Sequence, residues 1–170
     1  MKAGVCCPVQ LEPMSRELCH DLYRGWTNDP SIYADMTLFR PFVYDKAAVD
    51  RYYDAKQDPS RKLFAVMLDG KPIGELQLKR IDPEKKECGL SVHLQNDAVK
   101  GKGYGTAAER LAVRYAFEEL GMAAVNADTI VKNARSQHVL EKAGFRFVRE
   151  SEGFRYYRVE RQSASCAGKR

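Results

Sequence analysis

The sequence of 170 residues predicts a mixed α/β fold, because strand-like and helix-like segments alternate along it without a linker. Asp69-Gly70, a dipeptide typical of tight hairpin turns, separates strand-like runs at 62–68 and 72–81. A third run covers 87–94, and the stretch 104–120 that follows has apolar residues at helical spacing. Hairpin-connected strands followed by a long helix favour a sheet that is mainly antiparallel.

The residues before this hairpin predict one strand and two helices. The strand covers 5–11. Ser15 is a suitable N-cap for a helix that reaches residue 26, and Asp45 for a second helix that reaches residue 57. The stretch 32–44 between them mixes aromatic residues with a proline, which predicts a loop with one irregular turn.

The residues after the long helix predict a strand, a short helix and a last hairpin. The strand covers 123–131. Asn133 stands where the N-cap of the short helix belongs, and Gly144 where the helix ends. The two strands of the hairpin are 146–150 and 154–161. One domain is therefore predicted.

The domain is predicted to cover 1–161, followed by a small, polar and disordered tail at 162–170. With 44% hydrophobic residues, a mean hydropathy of −0.50 and no long apolar run, neither a membrane span nor a signal peptide is predicted. A dispersed net charge of +5 does not predict a nucleic-acid partner. The five cysteines have neither a disulfide framework nor a zinc spacing, which favours a reducing cytoplasm.

The segment Lys100-Gly-Lys-Gly-Tyr-Gly-Thr106 predicts an anion site, because glycine-rich backbone leads into the N-terminus of a helix. Two lysines add positive charge. The residues expected to contact a pyrophosphate are Lys100, Gly101, Lys102, Gly103, Tyr104, Gly105 and Thr106. A P-loop pattern is absent, and the match of Gly103–Ala108 to a dinucleotide fingerprint lacks the usual preceding context. A glycine-rich turn without a ligand is the remaining alternative.

Two motifs together resemble the GNAT (Gcn5-related N-acetyltransferase) superfamily. Lys100-Gly-Lys-Gly-Tyr-Gly105 is similar to its R/Q-x-x-G-x-G/A loop, with lysine in the first place. Asn133, a short helix and the ending Glu141-Lys-Ala-Gly-Phe145 are similar to its later signature. The resemblance covers roughly 62–161 and is greatest to the branch of ribosomal-protein N-terminal and spermidine-type acetyltransferases.

The resemblance implies the GNAT acyl-CoA acyltransferase fold, a twisted and mostly antiparallel central sheet with helices on both faces. It also implies direct transfer of an acetyl group from acetyl-CoA, without a metal ion, to a primary amine. A protein N-terminus, a polyamine or a small aminated molecule would each serve as acceptor. The aromatic residues of the N-terminal third either pack the helices on the sheet or line the acceptor slot.

The same resemblance implies roles for individual residues. The strand 87–94 is expected to give backbone groups to pantetheine and to the thioester near Val92 and Leu94. Asn133 is expected to contact the cofactor as well as to cap its helix. Many members of the family carry a tyrosine, thought to protonate the thiolate, where this chain has Leu140; Ser136 occupies the place of a serine proposed as a substitute.

His93 is the predicted general base. In a strand, Cys88 and its alternate residues face the core, so His93 faces the other side, near the expected thioester. An imidazole has a pKa suited to accepting a proton near neutral pH. Glu75, Glu87 and Asp128 are lesser candidates, and a histidine without a catalytic role is the alternative. His20 and His138 are expected on solvated helix faces.

Two other functional classes are considered beside the enzyme. The leucine at 140 is compatible with a catalytically silent acyl-CoA-binding module. A NAD(P)-binding domain would need a continuous parallel sheet. The sequence leaves a homodimer open.

Overall fold

The computed structural model describes residues 8–162, which form one seven-stranded sheet covered by helices on both faces. The strands are β1 (Val9–Pro13), β2 (Lys62–Leu68), β3 (Lys71–Asp82), β4 (Glu87–Leu94), β5 (Ala124–Ile130), β6 (Arg146–Ser151) and β7 (Phe154–Glu160). The helices are α1 (Arg16–Arg24), α2 (Lys46–Ala55), α3 (Tyr104–Glu118) and α4 (Ala134–Lys142). The predicted mixed α/β class is confirmed.

The strands lie in the order β1-β2-β3-β4-β5-β7-β6. Neighbouring strands are antiparallel except β4 and β5, whose parallel pairing needs a crossover that contains α3. The β2–β3 hairpin turns at Asp69 and Gly70, with φ of 50° and 78° in the left-handed region that a type I′ turn requires. The prediction of a mostly antiparallel sheet is therefore confirmed.

β4 and β5 pair only over their first residues. Glu87–Gly89 pairs with Ala124–Asn126, and no pairing follows although both strands continue. The two strands therefore part beyond Gly89 and Asn126, and the backbone groups on their facing edges have no ladder partner there. The opening between these edges holds the candidate site.

The helices cover the sheet in two separate apolar clusters. Leu22 of α1 and Val49 of α2 pack with Ala65 of β2. Val66, the next residue of the same strand, belongs to the cluster that contains Ala112 of α3. Because successive side chains of a strand point to opposite faces, α1 and α2 lie on one face of the sheet and α3 on the other.

The predicted first strand needs correction, whereas the predicted loop after α1 is confirmed. The strand was predicted at 5–11; of this range, 5–7 lies outside the described residues, and β1 continues to Pro13. Proline fits there because β1 is an edge strand and an edge residue need not donate to the ladder. The loop predicted at 32–44 contains one 3-10 turn, Met36–Leu38, as predicted, and a preceding 3-10 turn, Pro30–Ile32, ends at its first residue.

The helices α1, α2 and α3 each end about half a turn earlier than predicted. α1 ends at Arg24, because Gly25 caps the helix by donating its N–H to the Leu22 carbonyl. α2 and α3 end two residues before the predicted limits, at Ala55 and Glu118. The predicted N-caps are confirmed: Ser15 accepts from the Leu18 N–H, and Asp45 and Asn133 cap their helices in the same way.

The predicted exposure of His20 is wrong. His20 is 8% exposed, and its ring nitrogens are hydrogen-bonded to the Tyr44 hydroxyl at 2.8 Å and to Asp50 at 2.9 Å. The face of α1 that looked polar in sequence packs against α2, which supplies Asp50. His138 is exposed, as predicted.

The tail predicted to be disordered falls outside the described residues apart from Gln162. Within residues 8–162, no helix is both long and apolar enough to cross a bilayer.

Candidate active site

A cavity of about 520 Å³ opens where β4 and β5 part. Its walls include Leu90 and Ala127, the first residues beyond the last paired residues of the two strands. α1, α2, β3, α3 and α4 also contribute side chains, so the cavity reaches both faces of the sheet. A gap between strands edged by free backbone groups suits an extended ligand that hydrogen-bonds like a strand.

Of the seven residues predicted for the glycine-rich loop, Lys100 and Gly105 line this cavity and the other five do not. Gly101 and Gly103 have φ of 73° and 84°, which glycine adopts readily, and Gly103 is the N-cap of α3. No side chain caps α3. The first N–H groups of the helix are therefore free of partners from the capping position, and the helix dipole favours negative charge there. The predicted loop fits an anion such as a phosphate.

Lys100 is already bound within the protein. Its ammonium lies 2.8 Å from Asp29 and 3.4 Å from Asp97, and its side chain is 10% exposed. Burial alone would raise the pKa of Asp29, but hydrogen bonds from Lys100 and Ser31 lower the pKa to about 2. Lys100 thus ties the loop before α3 to the segment after α1, whereas Lys102 is exposed. Contacts of these lysines with a phosphate stay predictions.

Four further residues predicted to contact the cofactor or the thioester line the cavity. Val92 and Leu94 lie on the β4 wall, and Asn133 and Ser136 at the start of α4. The Asn133 side chain accepts from the Ser136 N–H at 3.1 Å, which confirms the cap and leaves its predicted contact with a ligand untested. Leu140 of α4 also lines the cavity and is 3% exposed.

The opposite wall carries His93 beside a buried carboxylate. His93 of β4 pairs directly with Glu75 of β3, so both side chains point to the face that α1 and α2 cover. Glu75 is 3% exposed and accepts from the Tyr23 hydroxyl at 2.9 Å and from the Tyr52 hydroxyl at 2.7 Å. Burial lowers the pKa of His93 below its usual value of 6.5. His93 is therefore neutral at pH 7 and able to accept a proton.

Glu87 and Asp128, the two other candidates for the general base, differ in whether they line the cavity. Glu87 accepts a 2.7 Å bond from Arg158, which lowers the pKa of Glu87, and it does not line the cavity. Asp128 does line the cavity, with Arg80 3.9 Å away. Across 8–162, His, Cys, Asp and Glu side chains form no group of three that could hold a metal ion.

A family model described as an acetyltransferase (GNAT) domain matches residues 9–146. The chain belongs to the GNAT acetyltransferase family. The match begins in β1 and includes the glycine-rich loop and α4, so it covers far more than the two motifs noted in sequence. The predicted family is confirmed, and with it the predicted class of enzyme, an N-acetyltransferase.

Individual relatives agree with the family. The chain is 38% identical over 77 residues to the probable N-acetyltransferase YjcK of Bacillus subtilis (strain 168), a match that spans 45% of this chain and only 42% of that protein. It is 25% identical over 146 residues, 81% of this chain and 72% of the relative, to spermidine N(1)-acetyltransferase of Escherichia coli (strain K12). The crystal structure of aminoglycoside acetyltransferase AAC(6')-Ib in complex with coenzyme A has a TM-score of 0.71 at 23% identity, covering 90% of this chain and 95% of that one. The predicted GNAT fold is therefore confirmed.

Sequence reasoning missed two features of this GNAT chain's cavity: the tyrosine hydroxyls bound to Glu75, and the buried Glu109. Tyr23 and Tyr52 reach Glu75 from α1 and α2, across 52 and 23 residues of sequence. Glu109 lines the cavity from α3 and is 2% exposed. A local signal for Glu109 was present, since helical spacing places it with Gly105 and Ala112 on the buried side of α3. No local signal joins the two tyrosines to Glu75.

The N-terminal aromatic residues both pack and line the site. Tyr23, Trp26 and Tyr52 are shared between the main cavity and a second one of about 240 Å³. The second cavity continues to Phe42 and Val43 in the segment before α2. Tyr23 also packs on Trp26 and Phe42, with ring centroids 4.9 and 5.6 Å apart. The two interpretations of these residues are therefore compatible.

Proposed function

We propose that this enzyme transfers the acetyl group of acetyl-CoA directly to a primary amine bound between β4 and the aromatic wall. The observation that supports this most is that one cavity reaches both a helix N-terminus without a side-chain cap and a buried carboxylate. The first suits the pyrophosphate of CoA and the second an ammonium group. The thioester of acetyl-CoA and the nitrogen of the amine would meet between these two sites, beside His93.

On the cofactor side, the α3 N-terminus would hold the pyrophosphate. The free backbone edges of β4 and β5 would bind the pantetheine amides, with Val92 and Leu94 nearest the thioester. Asn133 would add a contact from α4. Backbone N–H groups of the β4 edge would stabilise the negative charge that develops on the thioester oxygen.

On the acceptor side, Glu75 would bind the incoming ammonium group. No cation among residues 8–162 forms an ion pair with this buried carboxylate; its partners are two tyrosine hydroxyls and the Gln77 amide. A buried carboxylate without a cation is costly to fold and is therefore suited to a cationic ligand. His93, directly opposite Glu75, would take the proton that the amine must lose before it attacks.

The walls favour an acceptor that carries an apolar body behind its amine. The second cavity adjoins the Glu75 wall and is lined by Tyr23, Trp26, Phe42 and Val43. Aromatic walls bury apolar surface and attract cations that lie against their ring faces. An arylalkylamine or a peptide N-terminus with a large apolar first residue fits better than a polyamine, although spermidine is the substrate in the name of one relative.

CoA is expected to raise the melting temperature of the protein, and NADH is not. A ligand that binds only the folded state stabilises it by about 2.7 kcal/mol when present at about a hundred times its Kd. Differential scanning fluorimetry with CoA, acetyl-CoA and NADH measures this. Absence of a shift at millimolar CoA would remove the cofactor part of the proposal.

Gly103→Val is expected to weaken CoA binding about 10²-fold, the scale of one or two charge-assisted hydrogen bonds. A side chain at Gly103 would meet no protein atom within 4 Å, so it would enter the space proposed for the pyrophosphate. Gly121→Val is the matched control, because Gly121 has a similar φ of 67°, equally open surroundings and no proposed ligand. Calorimetric titration with CoA should separate the two variants, while both lose about 1–3 kcal/mol of stability to backbone strain. Equal CoA affinity in both would mean that the loop is only a turn.

An amine panel tests the acceptor. Phenethylamine, a tripeptide that begins with phenylalanine, spermidine and kanamycin would be supplied with acetyl-CoA, and free thiol would be measured. We expect the first two to have the highest kcat/KM. Preference for spermidine would overturn the apolar acceptor class, and CoA binding without turnover of any amine would favour the silent acyl-CoA-binding module.

A further inference from the structure

Glu109 is a buried carboxyl group that the proposed function leaves without a role. It lies in the second turn of α3, is 2% exposed and lines the cavity between β4 and β5. Its Oε2 atom is buried and has no hydrogen-bond partner within residues 8–162. Burial raises the pKa of Glu109 to about 8, so the carboxyl is protonated at neutral pH. Such a group destabilises the fold, which points to a function.

Glu109 faces the cavity from the side opposite Glu75. α3 lies on the face of the sheet that α1 and α2 do not cover. Glu109 is one turn beyond Gly105 on the same side of α3. A Cβ atom at Gly105 would lie 3.7 Å from Val139 of α4 and 3.9 Å from Leu94 of β4. This side of α3 therefore adjoins both the proposed thioester strand and α4.

The other side chains that line the cavity near α3 and α4 are poor proton donors. Leu140 has no proton to give, and the amide of Asn133 and the hydroxyl of Ser136 do not ionise near neutral pH. Among the described residues of α3 and α4 that line the cavity, Glu109 is the one carboxyl.

Resting on the acetyl transfer proposed above, we propose that protonated Glu109 gives its proton to the sulfur of CoA as the acetyl group leaves. The carbon–sulfur bond breaks with its electron pair on sulfur, and the Glu109 proton completes the thiol. The ammonium first releases one proton to solvent through His93; the neutral amine nitrogen then forms the new bond to the acetyl carbon and loses its surplus proton, again to His93. Solvent takes the proton from His93 and returns one to Glu109, so amine and thioester become amide and thiol with atoms and charge balanced.

Charged neighbours do not account for the protonation of Glu109. The titratable or charged side chains that line the same cavity are Tyr23, Asp29, Tyr52, Glu75, Lys79, His93, Lys100, Asp128 and Arg135. None of them hydrogen-bonds to Glu109, and its raised pKa has burial as its cause. The wild-type kcat/KM for acetyl-CoA should therefore fall as the pH rises above about 8, because Glu109 of the free enzyme then loses its proton.

Glu109→Gln should lower kcat by about 10²-fold, the low end for a general acid, because a thiolate is already a good leaving group. It should also remove the alkaline limb of kcat/KM and leave the KM for acetyl-CoA at neutral pH nearly unchanged. Glu118→Gln makes the same change on the exposed end of α3 and should behave as wild type. Wild-type kcat with an intact alkaline limb in Glu109→Gln would overturn the proposal.

Binding of CoA alone gives a readout without turnover. Bound CoA would cover Glu109 and favour its neutral form further, so binding takes up a proton above the pKa of about 8. CoA affinity of the wild type should then fall about tenfold more than that of Glu109→Gln between about pH 7 and about pH 9. Identical pH dependence in the two proteins would mean that CoA does not contact Glu109. Should the wild type bind CoA but acetylate no amine, the proposed function fails, and this comparison still decides the contact.

Glu109→Leu separates a functional carboxyl from a structural one. Removing a buried, unpaired carboxyl should raise the melting temperature, the more so as pH rises from about 4.5 to about 8, where the folded wild type binds a proton that the unfolded chain has lost. The same variant should lose kcat as Glu109→Gln does. A variant that is both more stable and fully active would contradict the proposal.

Discussion

Replacing His93 with alanine is expected to lower kcat by about 10²–10⁴-fold, the usual contribution of a general base. His93 is the imidazole on the cavity wall that carries Glu75, directly across from it on β3. The affinity for CoA should change little, because the proposed pyrophosphate site lies at the α3 N-terminus. His138→Ala, on the exposed face of α4, is the control.

The pH dependence of kcat identifies the base further. Burial lowers the pKa of His93 below 6.5. A base acts only when it is unprotonated, so the wild-type kcat should rise with pH through a value below 6.5 and then level off. The limb should disappear in His93→Ala. If the variant keeps both the rate and the limb, His93 is not the base, and Asp128 becomes the next candidate.

Glu75→Gln is expected to lower kcat/KM for the amine by about 10²–10³-fold. Removing one partner of a buried, hydrogen-bonded charge pair typically costs about 2–5 kcal/mol. Glutamine keeps the size of the side chain and can still accept from the hydroxyls of Tyr23 and Tyr52, so the fold should be retained. The loss should appear for the amine and not in the KM for acetyl-CoA.

Glu84→Gln is the matched control for this variant, since Glu84 lies in the exposed turn between β3 and β4. Steady-state kinetics with both substrates varied would show the difference. An unchanged kcat/KM for the amine in Glu75→Gln would contradict an ammonium site at Glu75 and favour a role in fixing the tyrosines.

Local sequence signals predicted one half of the site. Glycine at 103 and the start of α3 define the loop proposed to bind an anion, and the alternation along β4 places His93 on the face opposite Cys88. These features depend on a few neighbouring residues, because period-2 alternation, helix caps and left-handed glycines are local properties. The fold class followed from the same signals together with the hairpin at Asp69-Gly70.

The other half depends on contacts between residues far apart in sequence. The ion pair between Lys100 and Asp29 joins residues 71 apart and links two loops, a contact that no local pattern in the sequence predicts. His20 looked solvated because its partners, Tyr44 and Asp50, are on later segments. Tertiary packing decides such contacts, and no local pattern encodes them.

A single-turnover experiment tests the central claim, direct acetyl transfer to an amine within this cavity. Enzyme in excess over acetyl-CoA would be mixed with phenethylamine and quenched at short times, and amine, thiol and protein would be followed by mass spectrometry. The structure predicts that acetylated amine and free CoA appear together at equal amounts and that the protein never carries the acetyl group. Free CoA released with acetate instead of acetylated amine, or an acetylated protein that forms before the product, would contradict the account.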